Sequence, residues 1–158
     1  MLSNKMGLEI IRLPEDISLE HTIIPCTRSG AVIKDNLPPE EAAIVRKSYA
    51  QVSTVADFNE ITDDFVKITI HDPLFRRMET REKLSLFFES AYIVASEAAW
   101  IDIANANVHK GTTVEHLQHL LNVTPEETMA FGDGYNDIEL MTHSTYSFTV
   151  RNASTISC

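Results

Sequence analysis

The segment that decides the predicted fold is Phe131-Gly132-Asp133-Gly134-Tyr135-Asn136-Asp137. Residues 128–131, which lead into it, form a short apolar strand pattern, and residues 136–142 are typical of a helix. A second strand is predicted over residues 146–150. Strand, loop, helix and strand within roughly 25 residues indicate a parallel β–α–β unit.

The two aspartates of this segment are candidates for a ligand site. Open α/β sheets bind ligands where their strands end, and Asp133 is expected at that edge. Asp137 lies four residues further on, in the first turn of the predicted helix, so both carboxylates can face one site. Together with the amide of Asn136 they form a set of hard oxygen donors, which suits magnesium. Lys110, at the start of another predicted helix, can place a positive charge against a phosphate.

Each of these signals also has a plain structural explanation. A Gly-Asp-Gly step alone is typical of a turn, and a lysine before a helix is usually solvated. An EF-hand loop is excluded, because Tyr135 occupies the second ligand position and no glycine follows Asp137. The order of the signals favours a site: a Lys-Gly pair at a helix start, a capped helix, an apolar strand, and then the acidic loop, residues 132–137.

Upstream of this unit the sequence predicts an α+β layer. Strands are expected over residues 30–34, 65–70, 92–95 and 100–103, and helices over residues 38–49 and 80–90. From residue 65 onward the order β–α–β–β suits helices on one face of a largely antiparallel sheet. The first 50 residues are otherwise expected to be irregular, because prolines at positions 14, 25, 38 and 39 interrupt them. Nearer the acidic loop, a helix is predicted from Lys110 to near Asn122, and residues 124–127 have the pattern of a helix start.

The composition indicates an ordinary globular chain of 158 residues. Thirteen Lys and Arg against 23 Asp and Glu give a net charge of −10, which argues against binding to nucleic acid. The longest stretch without Asp, Glu, Lys or Arg has 11 residues, too few to span a membrane. No apolar run follows the N-terminus and the two cysteines lie far apart, so neither a secretory signal nor a disulfide framework is predicted. A cytoplasmic protein is expected.

The motifs of residues 100–154 resemble the haloacid dehalogenase (HAD) superfamily, specifically the Cof-type phosphatases with a mixed α/β cap. The resemblance is carried by Asn107-Val108-His109-Lys110-Gly111-Thr112, by Pro125-Glu126-Glu127 and by residues 131–141. Arg151-Asn152-Ala153 is similar to the family's Gly-Asn-Ala step. The resemblance implies an α/β fold, with the C-terminal part of a Rossmann-like core over residues 104–158. It implies an α+β cap over residues 1–103, of which residues 1–29 match least.

The resemblance also implies a chemistry. In such enzymes an aspartate attacks the phosphorus, magnesium neutralises the phosphoryl oxygens and a lysine holds the transferring group. Lys110 would be that lysine, and Asp133 a catalytic magnesium ligand. Asp137 would be a second carboxylate on the metal side, direct or through water, and Asn136 a contact to phosphate or substrate. The implied function is magnesium-dependent hydrolysis of a small phosphorylated metabolite, such as a sugar phosphate.

One motif of the superfamily is absent from the sequence. The attacking aspartate belongs to an Asp-x-Asp-Gly-Thr segment, and no Asp-x-Asp occurs in the 158 residues. The chain is therefore expected to be a fragment without phosphatase turnover of its own. The alternative is a non-catalytic binding or interaction module that keeps the fold. A homodimer through an open sheet edge is also expected, because a missing strand would leave that edge unpaired.

Overall fold

The structure is a computed structural model that describes residues 1–17, 21–97 and 99–151, without the side chains of residues 15–17, 97 and 135. The helices in these ranges are α1 (Asn4–Ile17), α2 (Pro39–Ser48), α3 (Arg77–Lys83), α4 (Lys110–Leu121) and α5 (Ile138–Thr142). The strands are β1 (Thr22–Thr27), β2 (Gly30–Lys34), β3 (Val52–Val55), β4 (Lys67–His71), β5 (Ala91–Glu97), β6 (Trp100–Asn105), β7 (Met129–Gly132) and β8 (Tyr146–Thr149). Short 3-10 turns occupy Phe58–Glu60, Leu84–Phe87, Pro125–Glu127 and Tyr135–Asp137.

Six strands form one sheet in the order β3-β2-β1-β4-β6-β5. Strands β2 and β3 run parallel, and the other neighbouring pairs run antiparallel. The alternating sequence of β4 assigns its two faces, because successive side chains of a strand point in opposite directions. Ile68 and Ile70 are fully buried on one face, opposite Ile103 and Ile101 of β6. Thr69 therefore belongs to the other face.

The face that carries Ile68 and Ile70 holds the main hydrophobic core. Helix α1 packs here, with Ile10 and Ile11 in the same buried cluster as the β4 and β6 isoleucines. The helix approaches the rest of the core closely at Gly7, where a Cβ atom would lie 2.0 Å from Cδ2 of the buried Phe65. A glycine is needed at this position, because any side chain there would displace the aromatic ring.

The opposite face of the sheet is divided between an apolar and a polar half. Helix α2 covers β1 and β2, where Ile24, Ile33 and Val45 form a second buried cluster. Beyond α2, strands β4, β5 and β6 carry polar and charged side chains on this face: Lys67, Thr69, Ser96 and Asp102. The polar half is the part of the six-stranded sheet that lies next to the acidic loop.

Strands β7 and β8 form a separate parallel pair connected through α5, which confirms the predicted β–α–β unit. Phe131 of β7 lies opposite Phe148 of β8 in register, and their rings stack with centroids 5.4 Å apart. Both rings are largely exposed, Phe131 at 68% and Phe148 at 47%. The described residues thus leave an apolar surface on this small sheet.

The prediction of an irregular N-terminal region was wrong. Helix α1 contains Pro14, and strand β1 contains Pro25, two residues that local rules assign to breaks. All six residues of β1 are buried, so packing against the neighbouring strands overrides the local preference.

The other predicted elements are confirmed, with bounds that shift by no more than two residues except in two segments. The helix predicted over residues 80–90 is α3, which ends at Lys83 and continues as a 3-10 turn through Phe87. The helix start at Thr124 has its capping box, but it is a single 3-10 turn, because β7 begins at Met129.

The Asn152-Ala153 step and Cys158 fall outside the described residues. The domain boundary between residues 103 and 104 stays a prediction. None of the described helices has the length and apolar character needed to cross a membrane.

Candidate functional site

Lys110 is held at the start of α4 by a local capping arrangement. Nδ1 of His109 accepts a hydrogen bond from the backbone N–H of Thr112 at 3.4 Å. In return, the Thr112 hydroxyl accepts one from the backbone N–H of His109 at 3.2 Å. The His109 ring also lies against Tyr92, with centroids 5.3 Å apart. These contacts fix Lys110 in the first helical turn, where backbone N–H groups lack intrahelical acceptors and favour an anion.

Asp137 holds the acidic loop together from within. Its side chain is only 7% exposed. Oδ2 accepts hydrogen bonds from the backbone N–H groups of Asp133 at 3.0 Å and Gly134 at 3.2 Å, and Oδ1 accepts one from Nζ of Lys110. Burial opposes ionisation, but Lys110 and the two N–H groups outweigh it and hold the pKa of the Asp137 carboxyl below its usual value.

Asp133 and Asn136 have unengaged side chains at the same loop. Asp133 is exposed and Asn136 is half-buried. Neither side chain forms a hydrogen bond with another residue in the described part of the chain. Their oxygen atoms are therefore available to a ligand, in contrast to those of Asp137.

The four predicted site residues line one cavity of about 490 Å³. Its lining consists of Ser96, Asp102, Lys110, Asp133, Gly134, Asn136 and Asp137. The structure thus brings Lys110, Asp133, Asn136 and Asp137 together at the end of β7, while the roles assigned to them stay predictions.

Ser96 and Asp102 were missed by the sequence reasoning. They come from β5 and β6 of the six-stranded sheet and complete the cavity from the opposite side. The sequence held a signal for Asp102, because it stands between two isoleucines, Ile101 and Ile103, within a predicted strand. A carboxylate between two core residues of a strand must lie on the other face of the sheet. No signal in the sequence placed that face next to the acidic loop.

The oxygen atoms of the acidic loop are the candidate ligands for magnesium. In the described ranges no three His, Cys, Asp or Glu side chains are grouped to hold a metal ion. One unengaged carboxylate, Asp133, and one amide, Asn136, still fit magnesium, which commonly binds through one or two carboxylates and keeps several waters. Asp137 already accepts three hydrogen bonds, which favours its indirect role beside the metal.

Gly132→Ala is expected to lower the free energy of unfolding by about 2 kcal/mol. The added Cβ would lie 2.5 Å from Cβ of Asp137 and 3.1 Å from Sδ of Met141. Asp137 is fixed by its hydrogen bonds and cannot move aside without breaking them. Urea denaturation measures the loss.

The matched control is Gly134→Ala in the same loop. Its added Cβ would meet Oδ1 of Asn136 at 2.8 Å, and that side chain is able to rotate away. The cost expected for this variant is below about 0.5 kcal/mol. Equal losses in the two variants would show that Asp137 is not fixed as described.

Comparisons with known proteins identify the family of the chain. The sequence profile of haloacid dehalogenase-like hydrolases matches residues 2–156. The chain belongs to this family. The predicted resemblance to the HAD superfamily is confirmed, and so is the mixed α/β fold.

A curated relative is the Escherichia coli 5-amino-6-(5-phospho-D-ribitylamino)uracil phosphatase YbjI, which is 26% identical over 138 residues. The match covers 85% of this HAD-family chain and 50% of the relative, so the chain spans about half the length of that protein.

Two solved structures show the same fold. A protein of Streptococcus mutans, SMU.1108c, superposes with a TM-score of 0.88 at 22% identity, covering 99% of this chain and 59% of the other. The HAD subclass IIB sugar phosphatase BT4131 superposes with a TM-score of 0.80 at 17% identity, covering 99% and 58%. The described fold therefore corresponds to roughly three fifths of each of these two structures.

Proposed function

We propose that this chain is the phosphate-holding part of a magnesium-dependent phosphatase that acts on small phosphorylated metabolites. The observation that carries the proposal is the convergence of Lys110, Asp133, Asn136 and Asp137 on one cavity. A lysine at a helix N-terminus, an unengaged carboxylate and an amide around one space are suited to a phosphate ester paired with a cation.

Each residue of the site has its own role in binding the phosphate. The Lys110 ammonium and the first turn of α4 attract the phosphoryl oxygens, and the Asn136 amide can donate a hydrogen bond to one of them. Asp137 holds Lys110 and the loop backbone in place. Magnesium, when bound, would supply positive charge against the phosphoryl oxygens, and Asp133 and Asn136 are the residues that would hold it.

The proposed substrates are phosphorylated sugars and related polyols. Support comes from two similar proteins, the Escherichia coli phosphatase of a phosphoribityl compound and the sugar phosphatase BT4131. The cavity supports a small substrate, because about 490 Å³ lies within the usual range for small-molecule sites. A cytoplasmic location and a homodimer formed through an open sheet edge stay predictions.

A non-catalytic module is the second candidate, and the absence of Asp-x-Asp from the 158 residues favours it. Both candidates predict that the purified chain melts cooperatively and releases no phosphate from glucose 6-phosphate with magnesium. Turnover by this chain that Asp133→Ala abolishes would contradict the missing-nucleophile account.

The coding sequence upstream of Met1 separates the two candidates. The phosphatase proposal expects an Asp-x-Asp-Gly-Thr segment there, and the joined polypeptide should hydrolyse sugar phosphates. Lys110→Ala in that polypeptide should then lower kcat/KM by at least about 100-fold, as the loss of a group that stabilises transition-state charge does. A joined polypeptide without turnover would favour the binding module. Turnover that Lys110→Ala leaves unchanged would contradict the phosphate-holding role proposed for Lys110.

A further inference from the structure

A second cavity, of about 250 Å³, lies on the polar half of the six-stranded sheet. Its lining consists of Ser48, Tyr49, Lys67, Thr69, Ser96, Trp100 and Asp102. Ser96 and Asp102 also line the cavity that contains Lys110 and Asp133. The two spaces therefore adjoin at these residues, and a molecule whose phosphate sits at Lys110 can extend past Asp102 into the second cavity.

A chain of hydrogen bonds organises the floor of this second cavity. The Tyr49 hydroxyl donates to Oγ1 of Thr69 at 3.0 Å, and the Thr69 hydroxyl donates to Oδ1 of Asp102 at 3.0 Å. Nζ of Lys67 donates to the same Oδ1 at 3.1 Å. Because Oδ1 receives both donors, the second carboxylate oxygen, Oδ2, has no described partner. The side chains of Lys67 and Asp102 are 40% and 31% exposed, so both remain accessible to a ligand.

The charge and polarity of the cavity restrict its occupant. Burial opposes the charged form of Lys67, but Asp102 outweighs it and raises the pKa of that lysine, which stays protonated at neutral pH. Lys67 and Asp102 together bring no net charge. The ammonium has N–H donors beyond the one used by Asp102, and Oδ2 is an unused acceptor. A hydroxyl group satisfies both kinds of partner, because it donates one hydrogen bond and accepts others.

Two aromatic residues, Tyr49 and Trp100, line the second cavity beside these polar groups. Trp100 packs against His71, with ring centroids 4.5 Å apart. Lys67 lies over the Tyr49 ring, 5.7 Å from its centroid. An apolar wall beside a donor and an acceptor suits a carbon chain that carries hydroxyl groups.

We propose that the Lys67–Asp102 pair determines specificity by binding the leaving group, and that it selects an uncharged, polyhydroxylated one. This inference rests on the proposed function of the Lys110 site. A leaving group with its own carboxylate is disfavoured, because it would meet Asp102 in a chain of net charge −10. A purely apolar one is disfavoured because it would leave Oδ2 and the Lys67 donors buried without partners.

Trp100 provides a direct readout, since it is the single tryptophan of the chain and lines the second cavity. Its fluorescence is titrated with ribitol 5-phosphate, ribitol, 3-phosphoglycerate and inorganic phosphate, in the presence of magnesium. We expect ribitol 5-phosphate to bind about tenfold more tightly than phosphate or 3-phosphoglycerate, as hydrogen bonds to charged groups would give. Ribitol alone should change the emission at higher concentration.

Variants test which residues carry the preference. Asp102→Ala and Lys67→Met should each reduce the preference for ribitol 5-phosphate over phosphate to less than twofold. Lys110→Ala should weaken the binding of ribitol 5-phosphate without altering the binding of ribitol. Asp35→Ala and Lys5→Met, both at exposed positions, are the matched controls and should keep the preference. Thermal melts verify that each variant is folded.

The outcomes separate this inference from the proposed function. If phosphate or 3-phosphoglycerate binds with the same affinity as ribitol 5-phosphate, the inference is wrong, while the phosphate site stands. If ribitol binds and no phosphate compound does, the proposed phosphatase site fails and the polyol site stands. If none of the four compounds binds, both are overturned.

Discussion

Asp137→Ala is expected to lower the free energy of unfolding by about 3 kcal/mol. The substitution removes three hydrogen bonds from a side chain that is 7% exposed. The backbone N–H groups of Asp133 and Gly134 lose their acceptor, and Lys110 loses its partner. Urea denaturation of the purified chain measures the change.

Asp133→Ala is the matched control, because it removes a carboxylate from the same loop without removing a described hydrogen bond. Its expected cost is within about 0.5 kcal/mol. If the two variants are equally stable, Asp137 does not anchor the loop, and the account of the site is wrong.

The stabilising effect of Asp137 should depend on pH. Its pKa is lower in the folded chain than its ordinary value of 3.8. A lowered pKa means that the contribution is fully present above that ordinary value and disappears as the pH falls through the folded value. The stability difference between the parent chain and Asp137→Ala should therefore be constant above about pH 5 and shrink below about pH 4. A difference that grows on acidification would contradict this assignment.

Asp72→Ala is expected to have the second large effect and to lower the free energy of unfolding by about 3–4 kcal/mol. The Asp72 side chain is fully buried where the chain leaves β4. It accepts hydrogen bonds from the backbone N–H groups of Leu74 at 3.0 Å and Arg76 at 2.9 Å, and it pairs with Nε2 of His21 at 3.4 Å. Its removal takes the acceptor away from these two backbone N–H groups in a closed environment, while Nε2 of His21 keeps its contact with Oγ1 of Thr80 at 3.1 Å.

Chemical denaturation tests this effect against Asp35→Ala, which removes an exposed aspartate from the same sheet region. The control should cost less than about 0.5 kcal/mol. A loss below about 1 kcal/mol for Asp72→Ala would show that the buried carboxylate is not an anchor.

These two aspartates also show how far the sequence could predict the structure. The sequence predicted a strand over residues 65–70, just before Asp72, and β4 ends at His71. The spacing of Asp133 and Asp137 predicted one shared site, and both line the same cavity. Such signals are local, because turn chemistry and helical spacing act within a few residues. The sequence did not predict that Asp72 and Asp137 act mainly as acceptors for neighbouring backbone N–H groups.

The contacts between distant segments could not be predicted. Asp102 lines the cavity from a strand of the other sheet, and Tyr92 of β5 donates to Glu139 of α5 at 3.2 Å. These contacts depend on how the two sheets pack, which no periodic pattern of one segment specifies. Strand β1 was missed for a related reason, since burial of all its residues outweighs the local effect of Pro25.

The central claim is that the acidic loop and Lys110 hold a divalent cation next to a phosphate. Phosphorus NMR tests it directly, with manganese in place of magnesium and inorganic phosphate as the probe. The account predicts that the chain increases the manganese-induced relaxation of phosphate, that Asp133→Ala abolishes the increase, and that Asp35→Ala retains it. Relaxation that is the same with and without the chain, or unchanged by Asp133→Ala, would contradict the account.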